Sequence, residues 1–164
     1  MAKRTDRKDA TRSRKAGGEG SGEGPRPFVH RIRVRWADCD PAAIAYTGRI
    51  PGLALQAIEA WWEEHAGIDW YRMNLDQNLG TPFVAMRLDF RSPVTPRHML
   101  DCEVVMTRLG NRSISHGVKG YQDRKLCFEG EFTAVFVDAR AFRTRTPPAD
   151  MIRKIRAATG SAGS

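Results

Sequence analysis

One stretch of this chain has the period of a long helix, and almost everything after it has the period of a strand. From about residue 48 to 66, Leu53, Ala57, Ile58, Trp61 and Trp62 recur three and four positions apart, while Glu59, Glu63 and Glu64 fall on the wetter side. Pro51 stands in the first turn, where a missing N–H costs little, and Gly67 follows as the residue that ends the helix. Downstream, residues 83–90, 100–109, 113–122 and 126–138 read as strands separated by Ser-Pro, Gly-Asn and Asp-Arg-Lys turn signals. Upstream, the run after Val29 alternates. Ile32, Val34 and Trp36 share one face and arginines the other, which predicts a half-buried strand. Residues 69–78 add an irregular or helical turn around Trp70 and Tyr71, and 147–157 a short helix opened by Pro147 or Pro148. A strongly curved antiparallel sheet wrapped around a single long helix satisfies the order β-α-β-β-β-β. The Trp pair then reads as core packing, because the helix needs bulky residues to cover a sheet. The fold class is α+β.

At 164 residues the chain has a one-domain length. Its formal net charge of +8 looks like a nucleic-acid signal until it is divided along the sequence. Residues 1–27 carry eight basic and four acidic side chains, and 140–164 carry six and one, leaving 13 basic and 14 acidic in the body. The basicity belongs to the ends, and polar ends of this kind are more often solvated than functional. A disordered basic tail is expected over 1–27, a domain over 28–143, and a short helix with a frayed end over 144–164. No apolar run approaches the ~20 residues of a membrane span. Three cysteines without a paired spacing argue against a disulfide scaffold and for a reducing cytoplasm.

Several chemistries lack their residues. There is no phosphate-cradling GxxxxGK[ST] and no GxSxG elbow. His30, His65, His98 and His116 are scattered without metal-ligand spacing. Cys39 lies between two acids, which opposes thiolate formation. What remains is Asp38-Cys39-Asp40-Pro41, a turn ahead of the long helix. Taken alone, an Asp before Pro is an ordinary turn residue, and Asp38 an ordinary cap for backbone N–H groups.

The wider run Arg-x-Arg-Trp-x-Asp-Cys-Asp-Pro-Ala-x-Ile-x-Tyr, followed by the amphipathic helix, resembles the 4-hydroxybenzoyl-CoA thioesterase family of the hotdog superfamily. The resemblance continues in Gly80-Thr81-Pro82-Phe83-Val84 and covers roughly residues 29–143. It implies a hotdog fold and acyl-CoA thioester hydrolysis without metal or cofactor. Asp40 corresponds to the nucleophile or general base, with Asp38 in support. The backbone N–H near Thr47 corresponds to the donor for the thioester oxygen. A helix start carries about half a positive charge, and donors aimed at a developing oxyanion contribute roughly 3–4 kcal/mol.

The resemblance further implies that Tyr46 and Gly48 adjoin the substrate and that Arg108, Arg112 and Ser113 meet the CoA phosphates. Thr81 and Pro82, with Gly80, shape the partner's side of the pocket. A homodimer is the minimum assembly implied, and a homotetramer is common in the family. The chain departs from the family run at Ala43, where Gly is usual, and at Thr47-Gly48-Arg49-Ile50, where aromatic-Pro-Asn-aromatic is usual. Arg49 there is either a surface arginine or a partner for an acidic acyl group. The alternatives are a non-catalytic acyl-CoA-binding module on the same fold, and basic ends that bind nucleic acid or an anionic membrane.

Overall fold

The computed structural model describes residues 27–160. The tail expected over 1–27, Pro27 excepted, and residues 161–164 lie outside the described residues. Strand β1 (Phe28–Arg33) leads through a loop to helix α1 (Ile50–Ala66) and the short α2 (Trp70–Leu75). Then come β2 (Leu79–Gly80), β3 (Phe83–Phe90), β4 (Met99–Leu109), β5 (Ser113–Gln122), β6 (Lys125–Val135), β7 (Val137–Asp138), β8 (Arg143–Thr144) and α3 (Ala149–Thr159). Five strands form an antiparallel sheet in the order β1-β4-β5-β6-β3, and β2-β7-β8 form a small second sheet.

Helix α1 lies on the concave face of the large sheet. Leu53, Ala54, Ala57, Ile58, Trp61, Trp62 and Ala66 are all buried, and they face Leu100, Cys102 and Val104 of β4, Ile114 and Val118 of β5, and Phe128 and Phe132 of β6. The alternation of the strands supplies this face directly. Gly120 has no side chain where the ring of Phe128 crosses it, and any Cβ there would overlap that ring. Gly67 ends α1 in the left-handed region, with φ +71, and its N–H donates to Glu63 O at 3.1 Å. Among the described residues no helix is long and apolar enough to cross a membrane.

Two sequence expectations are corrected. Trp36 does not continue the buried face of β1; it is 70% exposed. Pairing with β4 stops at Arg33↔Met99, and residues 36–38 wind into a 3-10 turn closed by Asp38 N–H to Arg35 O at 3.0 Å. The cause lies three residues ahead of the periodicity: the Asp38 carboxylate accepts the Arg35 N–H at 2.9 Å and pulls the backbone out of the sheet. The strand expected over 126–138 divides at Phe136. Its N–H turns to Arg112 O at 2.9 Å and its C=O accepts from Arg145, so the chain passes from the large sheet to the small one.

His116 is an outlier within this core. It is fully buried between α1 and the sheet, 4.6 Å from the Trp61 ring, and neither ring nitrogen has a hydrogen-bond partner among the described residues. Burial first, then the nearby His65, pushes its pKa down to about 3. The folded state therefore holds a neutral ring while the unfolded chain protonates near pH 6.5. Stability is complete above that value and falls as pH drops through it toward the folded value. Between pH 7 and 5 the loss is expected to be about 2 kcal/mol. Urea unfolding across this range should show the slope in the wild type and a flatter one in His116→Phe.

Candidate active site

The segment between Arg35 and Ile50 is held by its own polar groups. Cys39 and Ala45 form an isolated antiparallel bridge, and Asp40 N–H donates to Ile44 O at 3.0 Å. Ala43 N–H closes the turn by donating to Asp40 O at 2.9 Å. Asp40 Oδ1 accepts the Ala42 N–H at 2.9 Å, whereas Oδ2 has no partner among the described residues. The carboxylate is half-buried and fixed by one oxygen, with the other open.

Asp38 is used differently. Its Oδ2 accepts the Arg35 N–H, and its Oδ1 accepts from Arg49 Nε at 3.2 Å and Nη2 at 2.7 Å. The Arg35 N–H first, and the Arg49 guanidinium next, hold this buried carboxyl below the usual carboxylate range. Arg49, expected as either a surface arginine or a partner for an acidic acyl group, is tied to Asp38 while its side chain stays more than half exposed. Burial first, then the charges of Asp38 and Asp40, push the Cys39 thiol up, as its place in the sequence predicts.

The first turn of α1 is preceded by a 3-10 turn at Thr47–Arg49. Arg49 N–H donates to Tyr46 O at 2.7 Å, but the N–H groups of Thr47 and Gly48 have no acceptor among the described residues. Gly48 packs under the Tyr46 ring, which a Cβ would approach to 2.6 Å. Thr47 and Ile50 line a pocket of about 310 Å³ with Ile44, Ala45, Phe90, Arg91, Ser92, Pro93, Val94 and Cys127. Its two polar side chains besides Thr47 are committed: Arg91 pairs with Glu129 at 2.8 Å and Ser92 Oγ donates to Leu126 O at 2.8 Å. The arrangement offers a carboxylate across the loop from Ile44, two free N–H donors, and an apolar chamber beside them. Sequence reading missed the chamber walls Phe90, Val94 and Cys127, since Ser-Pro-Val there carried only a turn signal.

The remaining expected site residues gather elsewhere. Gly80, Thr81 and Pro82 line a second pocket of about 340 Å³ with Leu55, Trp70, Asn74, Phe83 and Phe142. Arg108, Arg112 and Ser113 lie on the β4–β5 hairpin, whose tip joins this second region. Arg112 O accepts the Phe136 N–H at 2.9 Å, and the adjacent Val135 N–H donates to Pro82 O at 3.1 Å. The two groups sit at opposite ends of β3, which supplies Phe83 to one pocket and Phe90 to the other. No group of three or more His, Cys, Asp or Glu side chains with metal-binding geometry occurs among the described residues.

A curved antiparallel sheet around one long helix, with a polar loop opening onto the helix start, defines a hotdog-fold protein. Residues 34–155 match the family model of the thioesterase-like superfamily, and the chain belongs to that superfamily. A thioesterase-superfamily structure from Jannaschia sp. CCS1 is 50% identical, over 82% of this chain and 96% of that one, with a TM-score of 0.77. A 1,4-dihydroxy-2-naphthoyl-CoA thioesterase from Synechocystis superposes over 78% of this chain and 94% of its own, at 17% identity and a TM-score of 0.71. A gentisyl-coenzyme A thioesterase does so over 78% and 99%, at 17% identity and a TM-score of 0.70. At these two identities the likeness is one of fold. No curated protein matches the chain.

Ala43 closes the Asp40 turn at φ +59, in the left-handed region where a Cβ is penalised. Ala43→Gly removes that penalty and adds some chain entropy to the unfolded state. It is expected to stabilise the protein by up to about 1 kcal/mol. Thermal unfolding of the two proteins checks this, and a lower Tm for the glycine variant refutes it.

Proposed function

We propose that this protein is an acyl-CoA thioesterase that hydrolyses a CoA thioester to the free acid and CoA, with Asp40 as nucleophile or general base. The observation that carries the reading is the pair of N–H groups at Thr47 and Gly48 without an acceptor among the described residues, at a turn whose Thr47 lines an apolar chamber one hydrogen-bonded step from Asp40. Those donors lie where a helix start favours negative charge, and they suit the oxygen of a tetrahedral intermediate. The free Oδ2 of Asp40 either attacks the thioester carbonyl or takes a proton from water. The thiolate of CoA then leaves, and a covalent anhydride, if formed, is opened by water.

The acyl group in this reading is uncharged, aryl or short to medium in length. The arginine that lines the chamber, Arg91, is paired with Glu129, and Arg49 at the helix start is paired with Asp38. The chamber walls Ile44, Ile50, Phe90 and Val94 favour apolar contact. All three cysteines are free and two are buried, which suits the reducing cytoplasm.

The proposed site is shared between two chains. Strand β3 is an edge of the large sheet, and it leaves Val84, Met86 and Phe90 more than half exposed. Antiparallel pairing of two β3 edges sets the Phe90 end of one against the Phe83 end of the other. The Asp40 half-site of one protomer then meets the half-site of its partner formed by Thr81, Pro82 and the hairpin carrying Arg108, Arg112 and Ser113. The hairpin arginines suit the phosphates of CoA.

A panel of aryl-, short-chain and dicarboxylic acyl-CoAs, followed by thiol release, tests the reaction. Asp40→Asn is expected to lower kcat about 10²- to 10⁴-fold on the best substrate. Equal rates remove Asp40 from the mechanism, and saturable binding without thiol release makes the protein a binding module. For the shared site, Asp40→Asn and Thr81→Trp are each expected to be inactive, while a re-folded equal mixture recovers about a quarter of wild-type activity through mixed dimers with one intact site. A mixture as inactive as its parents places the whole site within one chain.

A further inference from the structure

The loop that carries Asp40 begins and ends at the same ion pair. Asp38 stands at its entry and Arg49 at its exit, joined by two contacts of 3.2 and 2.7 Å. Between them, Tyr46 N–H donates to Asp38 O at 2.8 Å, so the neck of the loop is closed by backbone and side chain together. The pair is not part of the apolar chamber. Arg49 and Asp38 line a separate cleft of about 610 Å³ against β1, together with Gly52 and Gln56 of α1. Thr47 and Ile50 face the chamber from the other side of the same turn. The guanidinium is therefore behind the reacting groups, where it can set their spacing without touching substrate.

Backbone bonds hold the Asp40 turn and its neck as far as Tyr46, through the Cys39–Ala45 bridge, Asp40 N–H to Ile44 O and Tyr46 N–H to Asp38 O, and the turn contains the strained Ala43. Among the described residues, the Asp38–Arg49 pair is the side-chain contact that ties this ladder on to the helix start. The helix start has no side-chain cap. Arg33 lines the same cleft but forms no ion pair among the described residues. We propose that the Asp38–Arg49 pair is a clamp that fixes Asp40 relative to the Thr47 and Gly48 donors, with Arg49 as a positioning residue for hydrolysis. The inference rests on the thioesterase reading above. Two guanidinium N–H groups converge on Oδ1 of a carboxylate whose Oδ2 is already held by the Arg35 N–H, so the pair constrains orientation as well as distance, which a single point charge cannot. A displacement of about 1 Å between reacting groups is enough to cost roughly 100-fold in rate.

The test is a cycle of Arg49→Gln, Asp38→Asn and the double variant, assayed on the best substrate of the wild type, with Arg33→Gln as a control and Arg49→Lys as the conservative replacement. Arg49→Gln is expected to lower kcat about 10- to 100-fold with KM changed by less than about threefold. Arg49→Lys recovers part of kcat, Arg33→Gln keeps all of it, and the double variant is no slower than the slower single variant. Should Asp38→Asn fail to fold, the two Arg49 variants decide the matter by themselves. The clamp is overturned if Arg49→Gln retains wild-type kcat, if it raises KM alone, or if the two single losses multiply in the double variant. Each of those results leaves the wild type an active thioesterase. A wild type that cleaves no thioester overturns the activity and the clamp together.

Discussion

The burial of one face of α1 is the contact on which the rest of the structure depends. Seven side chains between Leu53 and Ala66, two of them tryptophans, are removed from water by a sheet that has to curve to reach them. At about 25 cal/mol per Å² of apolar area, bulky residues like Trp61 and Trp62 dominate that gain. Their position fixes the helix axis, and the axis fixes where its first turn emerges. The Thr47 and Gly48 N–H groups, without an acceptor among the described residues, precede the helix at the margin of this packed region, beside Val94, whose carbonyl accepts the Ala45 N–H at 2.7 Å.

The same curvature leaves something over. A sheet of five strands is wider than one helix, and β3 extends past it with apolar side chains still exposed. An uncovered edge of this kind is a liability in a lone chain. In the proposed dimer it is the seam that joins two half-sites, so one excess of sheet over helix accounts for both the exposed residues and the division of the site. His116 shows the cost of the packing beneath the helix: an imidazole enclosed by Trp61 and the sheet, with no partner for either nitrogen among the described residues.

The elements themselves were legible. The limits of β3 and β5 agree with their periodicity, and Gly67 and Pro51 marked the ends of the helix. Trp36 was misread because alternation reports side-chain order and not backbone direction. A carboxylate two residues later outcompeted the strand for the Arg35 N–H. Phe136 was misread for a related reason, since its backbone partners lie on Arg112 and Arg145, far away in sequence. At the candidate site, the run from Asp38 to Tyr46 was found from its motif. The chamber walls at Phe90, Val94 and Cys127 come from three separate segments and carry no local signal.

The sequence by itself determined the thioesterase-like superfamily, the one-helix architecture and the two carboxylates in front of the helix. Those properties are local: they follow from period, turn residues and a contiguous motif. Only the tertiary structure separated the carboxylates by environment, because a carboxylate's environment is set by what surrounds it in space. Asp38 is buried against Arg49 and the Arg35 N–H, while Asp40 keeps one oxygen open. The fold likewise divided the expected site residues between the two ends of β3, where an antiparallel sheet carries residues that are near neighbours in sequence about 25 Å apart.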